Sequence, residues 1–235
     1  MSKAITIQQV HEYYEANKKE LNQVFKEVNE QVEGRICHTS ILLLKIVSEL
    51  TDVERYMEIG VHNGGSMGLL ISNPKLKYAL GLDLFEDMYD LSKHLNASKF
   101  HTYQYFQRDN LSQEKTESSI KKLKEAFGSN AEIKLTQGNS YFDSTENQVK
   151  ETLKEQVDLL HIDGDHTWDG VQNDFKRYSK FVAPGGYIVF DDYHMPEIKR
   201  LIHEVIANTE GYTLIGSYQT DDQKAEQYLV QKDLA

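Results

Sequence analysis

From residue 55 onward, short apolar runs alternate with amphipathic stretches, and this alternation constrains the fold more than any other feature of the chain. Arg55 to Ile59, Tyr78 to Asp83, Ala131 to Thr136, Val157 to Asp163 and Tyr187 to Phe190 read as strands. The last is an unbroken apolar run, as expected of a strand covered on both faces. Ser66 to Ser72, residues 118 to 127 and the stripe Trp168, Val171, Phe175 and Tyr178 read as helices. The cleanest helical stripe is Ile198, Leu201, Ile202, Val205 and Ile206, and Tyr212 to Tyr218 and Glu226 to Gln231 read as two closing strands. Repeated βα units imply a doubly wound, parallel α/β sheet with right-handed crossovers. Ahead of it, Ile5 to Glu30 and about Cys37 to Leu50 read as helices, the second more apolar. They form a helical cap (residues 1–51) on one domain (residues 52–235), since no linker rich in Pro, Gly or Ser divides the chain.

Composition removes several classes of function. The chain has 235 residues and a net charge of −11, which argues against nucleic acid or an anionic membrane as the main partner, though a local basic patch stays open. The most apolar stretch, Ile41 to Val47, is interrupted by Lys45 and is too short to span a bilayer. Met1 to Val10 shows no signal-peptide pattern, and Cys37 is the only cysteine, so a reducing cytoplasm is the expected location.

In a doubly wound sheet the ligand crevice lies beyond the carboxyl ends of the strands, so the chemistry is expected in the turns after Ile59, Leu82, Thr136, Ile162 and Phe190. The first turn, Gly60-Val61-His62-Asn63-Gly64-Gly65-Ser66, has the spacing Gly-x-x-x-Gly-Gly, which is not the dinucleotide fingerprint. Glu58, two residues before Gly60, suits a cationic group such as an α-ammonium. Taken alone, the turn reads equally as a tight strand-to-helix connection. Asp83 follows Gly60 by 23 residues, the spacing at which a carboxylate holds a ribose diol, although an Asp at a strand end also caps loops. Asn139, in Gln137-Gly138-Asn139-Ser140, is placed to read an adenine edge, but alone it reads better as a turn residue.

The fourth strand runs into Asp163-Gly164-Asp165-His166 and the fifth into Asp191-Asp192. If these strands are neighbours, Asp163, Asp191 and Asp192 converge. Carboxylates ~4 Å apart repel by about 4 kcal/mol per pair at an effective dielectric of 20, so the group needs a cation, a shared proton or water. Oxygen ligands select Mg²⁺, Ca²⁺ or Mn²⁺ over Zn²⁺. His166 is placed to take a proton from something bound there. Blander readings exist: Asp165 as a cap for the helix near Thr167, Asp192 as a turn residue, His161 as a satisfied buried histidine. There is no convincing Ser or Cys nucleophile arrangement.

Together Glu58-Ile59-Gly60-x-x-x-Gly64-Gly65-Ser66, Asp83, Asp163-Gly164-Asp165-His166, Pro184-Gly185-Gly186 and Asp191-Asp192 resemble class I S-adenosylmethionine-dependent methyltransferases. The similarity is greatest to the metal-dependent macrocin- and mycinamicin-type sugar O-methyltransferases, with cephalosporin hydroxylase-like proteins carrying similar motifs. It covers roughly residues 52 to 232, apart from Glu86 to Leu111. The resemblance implies a Rossmann-like seven-stranded sheet, mostly parallel, with an antiparallel closing strand. It implies that Gly60, Gly64 and Ser66 admit the methionine part of S-adenosylmethionine, with Glu58 near its ammonium, Asp83 on the ribose and Asn139 beside the adenine. It further implies that Asp163, Asp191 and Asp192 hold Mg²⁺ or another hard divalent cation, and that His166 is the general base, with Asp163 beside it in catalysis.

The expected activity is therefore metal-assisted transfer of a methyl group to a hydroxylated small-molecule acceptor, a sugar or sugar-bearing product. The competing readings are an iron- or NAD(P)-using oxidoreductase in the same crevice and a non-catalytic cofactor-binding protein; the glycine spacing argues against NAD(P). Glu86 to Leu111, rich in Tyr, Phe and His, is long for a βα connection and reads either as a lid or acceptor wall or as an extra helix with its own small core. The amphipathic N-terminal helices suit packing between subunits of a homo-oligomer.

Overall fold

Seven strands form one sheet in the order β3-β2-β1-β4-β5-β7-β6. They are β1 (Arg55–Ile59), β2 (Tyr78–Asp83), β3 (Glu132–Gln137), β4 (Val157–Ile162), β5 (Val182–Phe190), β6 (Tyr212–Tyr218) and β7 (Gln227–Lys232). All run parallel except β7, which is antiparallel to both β5 and β6. The computed structural model describes residues 4–32, 36, 38–85, 112–221 and 225–234. The lid reading of Glu86 to Leu111 and the whole of Cys37 lie outside them.

Two apolar cores sandwich the sheet because alternate strand residues face opposite ways. Tyr56, Leu159 and Val189 face α1 (Ile7–Gln31), α2 (Leu42–Leu50), α3 (Gly65–Ile71) and α4 (Gln113–Phe127). Met57, Leu160 and Ile188 face α5 (Asp143–Leu153), α6 (Trp168–Tyr178) and α7 (Pro196–Arg200). A capping box starts α1: the Thr6 hydroxyl accepts from the Gln9 amide, and the Gln9 side chain accepts from the Thr6 amide. Its stripe Val10, Tyr14, Leu21 and Val28 is buried within this same chain. Lys45 is buried in α2, paired at 2.9 Å with Glu49, which also accepts from the Tyr13 hydroxyl.

Besides α4, which starts at Gln113 and not at 118, three segments differ from the sequence reading. Helix α5 was not anticipated, because its inward residues Thr145, Val149 and Leu153 make a sparse stripe. Strand β5 begins at Val182 and passes through Pro184-Gly185-Gly186, tolerated there because the β4–β5 register shifts beside Val157. The stripe from Ile198 to Ile206 is buried as expected, but α7 widens into a π-turn at Leu201–Val205 and tightens into a 3₁₀ turn at Ile206–Asn208. Among the described residues, no helix is long and apolar enough to cross a membrane.

Candidate active site

Strand order reverses between β1 and β4, which pair directly through Glu58↔His161 and Ile59↔Ile162. The turns after β1 and β2 lie to one side of this switch point, those after β4 and β5 to the other. Among the described residues, three of the five non-glycine residues with positive φ sit in these turns: His62 (φ 50), Phe85 (φ 49) and Asp192 (φ 50). Such backbone strain concentrates where side chains must be aimed.

On the β1–β2 side, Gly60 has φ +89 and donates its amide to the Leu82 carbonyl at 2.9 Å. A Cβ there would stand 2.0 Å from the Asp163 carbonyl oxygen, so only glycine lets the first turn lie against the end of β4. Gly64, with φ +83, is the N-cap of α3. Asp83 accepts from the His62 amide on Oδ2 (2.8 Å) and from the Phe85 amide on Oδ1 (2.9 Å). Each oxygen keeps lone pairs for a further donor, and the carboxylate is already oriented. Glu58 is fully buried; its Oε1 accepts from the Ser66 hydroxyl and faces His161 Nδ1 at 3.2 Å, while Oε2 has no hydrogen-bond partner among the described residues. Asn139 accepts from the Tyr141 amide at 2.9 Å, the geometry of a turn residue.

On the β4–β5 side the acidic residues do come together, with a different partition from the expected one. His166 bridges two of them: Nε2 is 3.2 Å from Asp163 Oδ1, and Nδ1 is 3.1 Å from Asp192 Oδ2. Asp191 turns toward the N-terminal cap, where His38 Nε2 faces its Oδ2 at 3.8 Å and Gln227 donates to its Oδ1 at 3.0 Å. His38, Asp191 and Asp192 each offer a ligand atom within 4.8 Å of the others; Asp163 is not in that group. Asp165 accepts from the Thr167 amide and the Tyr141 hydroxyl, while Thr167 itself caps α6. His161 is fully buried, and its Nε2 has no hydrogen-bond partner among the described residues.

The electrostatics follow from this crowding. Burial and the neighbouring Asp191 push the Asp163 carboxyl up to about 7. Burial pushes Asp191 up as well, but the imidazoles of His38, His161 and His166 win and hold it below the usual carboxylate range. Burial works against a charged His166, yet its bonds to Asp163 and Asp192 raise it well above an ordinary histidine. In the absence of another cation, His166 supplies the positive charge this edge requires.

Beneath the same turns lies Asp174 of α6, fully buried, its Oδ2 without a hydrogen-bond partner among the described residues. Burial pushes it up to about 7 against weaker hydrogen bonds from Ser140 and Asn173. The folded state therefore binds this proton more tightly than the unfolded chain. That stabilisation is full below the ordinary value of 3.8 and is lost as pH rises through about 7. Asp174→Asn is expected to stabilise the protein by about 1–3 kcal/mol more at pH 8 than at pH 5. Urea denaturation at both pH values checks this, and an equal effect at each would refute it.

His38, Gln227, Tyr141 and Asp174 are the site-edge residues that sequence reading missed. Asp174 had a signal, an acidic residue inside the apolar stripe of α6; His38 had none near it in sequence. Beyond Asp192 a surface of mixed aromatic and basic character follows. Tyr193 packs on Tyr228 (centroids 4.6 Å apart), Lys199 lies over Tyr193 at 5.1 Å, and Arg200 over Trp168 at 4.0 Å.

Sheet order, the single antiparallel strand and the strand-end turns define a Rossmann-like methyltransferase fold. The methyltransferase domain family matches residues 57–193, more than half of the chain, and the chain belongs to that family. A relative 29% identical over 209 residues (82% of this chain, 81% of that protein) is the uncharacterized protein R132 of Acanthamoeba polyphaga mimivirus. Among solved structures, the Bacillus cereus O-methyltransferase in complex with SAH matches with a TM-score of 0.61 at 14% identity, covering 95% of this chain and all of that one. The Streptomyces achromogenes O-methyltransferase TomG, of tomaymycin synthesis, in complex with SAM, matches with a TM-score of 0.56 at 16% identity, covering 91% and 89%.

Proposed function

We propose that this protein transfers a methyl group from S-adenosylmethionine to a hydroxyl of a small acceptor, a sugar or sugar-bearing natural product, with a divalent cation assisting and His166 as general base. The observation that carries this reading is the division of labour along one sheet edge. An oriented diol-binding carboxylate, Asp83, stands on one side of the switch point, and a carboxylate–imidazole cluster stands on the other. On the cofactor side, Gly60 and Gly64 open the turn, Asp83 takes the ribose, and the free oxygen of Glu58 suits the ammonium. Ser66 holds Glu58 in place, and Asn139 shapes the turn beside the adenine.

The donor chemistry fits a divalent cation: converging carboxylates whose mutual repulsion already raises Asp163, with a candidate ligand group spanning less than 5 Å. When bound, such a cation lowers the pKa of an acceptor hydroxyl. Asp163, Asp191 and Asp192 would hold it. Asp163 and Asp192 also orient the His166 ring, which must present a lone pair to receive the hydroxyl proton. The aromatic surface around Tyr193 and Trp168 offers flat faces to a ring-bearing acceptor. A metal-based hydroxylase reading fits less well: iron oxygenases favour two histidines and one carboxylate, and the candidate group here is one histidine and two carboxylates.

S-Adenosylmethionine or S-adenosylhomocysteine at 100 times Kd is expected to stabilise the protein by about 2.7 kcal/mol, read as a clear rise in Tm, while NADH gives none. No shift with either sulfur ligand would refute the cofactor assignment. Turnover of a sugar acceptor after EDTA treatment, undiminished, would refute metal assistance.

A further inference from the structure

We propose that His38 is a protein ligand of the cation site, so that the N-terminal cap contributes to the active site. His38 then joins Asp191 and Asp192, two of the carboxylates named above, in one group of donors around the cation. The inference rests on the metal-assisted reading above and adds a ligand and a metal preference to it.

The geometry comes first. His38 Nε2 faces Asp191 Oδ2 at 3.8 Å, too long for a hydrogen bond. Donors around a cation with bonds of ~2.2 Å stand roughly 3 to 4.4 Å apart, close to the spacing of the His38, Asp191 and Asp192 ligand atoms, all within 4.8 Å. The second line of argument comes from buried polar atoms that the fold leaves unmatched. Gln227 is fully buried and aims its amide nitrogen at Asp191, yet its Oε1 has no partner among the described residues. His38 Nδ1 is likewise buried and unpartnered, and so is His161 Nε2 on the neighbouring strand β4. Native proteins satisfy nearly all such atoms, and each orphan costs about 1–3 kcal/mol. A hydrated cation held at Asp191 would supply water hydrogens, the kind of donor that the Gln227 oxygen lacks among the described residues.

The placement of His38 is structurally enforced. The Thr39 hydroxyl meets that of Thr220, and the Ser40 hydroxyl donates to the Ala225 carbonyl at 2.7 Å, so the end of the β6–β7 hairpin grips the two residues that follow His38. An imidazole in the donor set shifts preference from Mg²⁺, which favours oxygen ligands and water, toward Mn²⁺ and its first-row neighbours.

The test uses the full chain with Mn²⁺ and Mg²⁺ in titrations, and pulsed EPR of the Mn²⁺-bound protein. Mn²⁺ is expected to bind at least about tenfold more tightly than Mg²⁺. Its spectrum is expected to show ¹⁴N modulation from a directly bound imidazole. His166 and His194 also lie near Asp192, at 3.1 and 3.7 Å, so the double variant His166→Gln/His194→Gln must retain the modulation. His38→Gln must abolish it and weaken Mn²⁺ binding by roughly 10–100-fold. Bound Mn²⁺ without nitrogen modulation, or modulation that survives in His38→Gln, overturns the role of His38 and leaves metal assistance standing. Failure of the wild-type protein to bind either cation overturns both. If His38→Gln does not fold, the wild type and the double variant decide the matter, since loss of modulation in the double variant assigns the nitrogen elsewhere.

Discussion

Gly60→Ala is expected to destabilise the protein by about 2–5 kcal/mol, a large share of the 5–15 kcal/mol that holds a typical domain together. Two costs add. A left-handed residue with a Cβ costs roughly 1–2 kcal/mol, and overpacking costs about 1–3 kcal/mol more. The clash is with main chain: the new Cβ would stand 2.0 Å from the Asp163 carbonyl oxygen and 2.5 Å from its carbon. Relief requires the β1 turn and the end of β4 to separate. Gly128 is the control, since it has φ +61 with nothing within 4 Å of its added Cβ. Gly128→Ala isolates the backbone term. Urea midpoints for the two variants check the argument, and equal losses would show that the close approach to Asp163 carries no energy.

The second large effect concerns rate. His166→Gln is expected to lower kcat by roughly 10²–10⁴-fold while leaving cofactor affinity within about twofold. The ring lies between Asp163 and Asp192, away from the Asp83 turn, so its loss removes proton transfer and not cofactor binding. A general base must be unprotonated to act, so the wild-type rate should climb with pH as the ring gives up its proton. The variant should lack that limb. A pH–kcat profile on both proteins, with cofactor titrations alongside, tests this; a variant that keeps the limb removes His166 from the role of base.

The sheet was readable because its information is local. The inner strands are short, largely buried runs bounded by turn residues, so β1, β2, β4 and both closing strands fall within a residue of expectation. What escaped was either weakly patterned or made by distant chain. Helix α5 turns so few apolar residues inward that its period is faint. The carboxylates Asp163, Asp191 and Asp192 were found by their place at strand ends. Which of them face each other depends on alternation across β4 and β5 and on the positive φ of Asp192. That single backbone angle helps set Asp192 toward His166. His38 and Gln227 reach Asp191 from the cap and the last strand, and no spacing rule links positions so far apart.

That distance also has a consequence for how the molecule is made. Ser40 and Ala225, joined by a hydrogen bond, are separated by 185 positions, and Ile5 donates to the hydroxyl of Tyr187 across 182. Contacts of such range must pay loop-closure entropy before they return any stability. On the ribosome, the parallel strands can pair while the cap helices still lack the hairpin they dock against. The surroundings of Asp191 are then completed only after β7 has been synthesised, so a growing chain can hold its five parallel strands together while the acidic edge is still open.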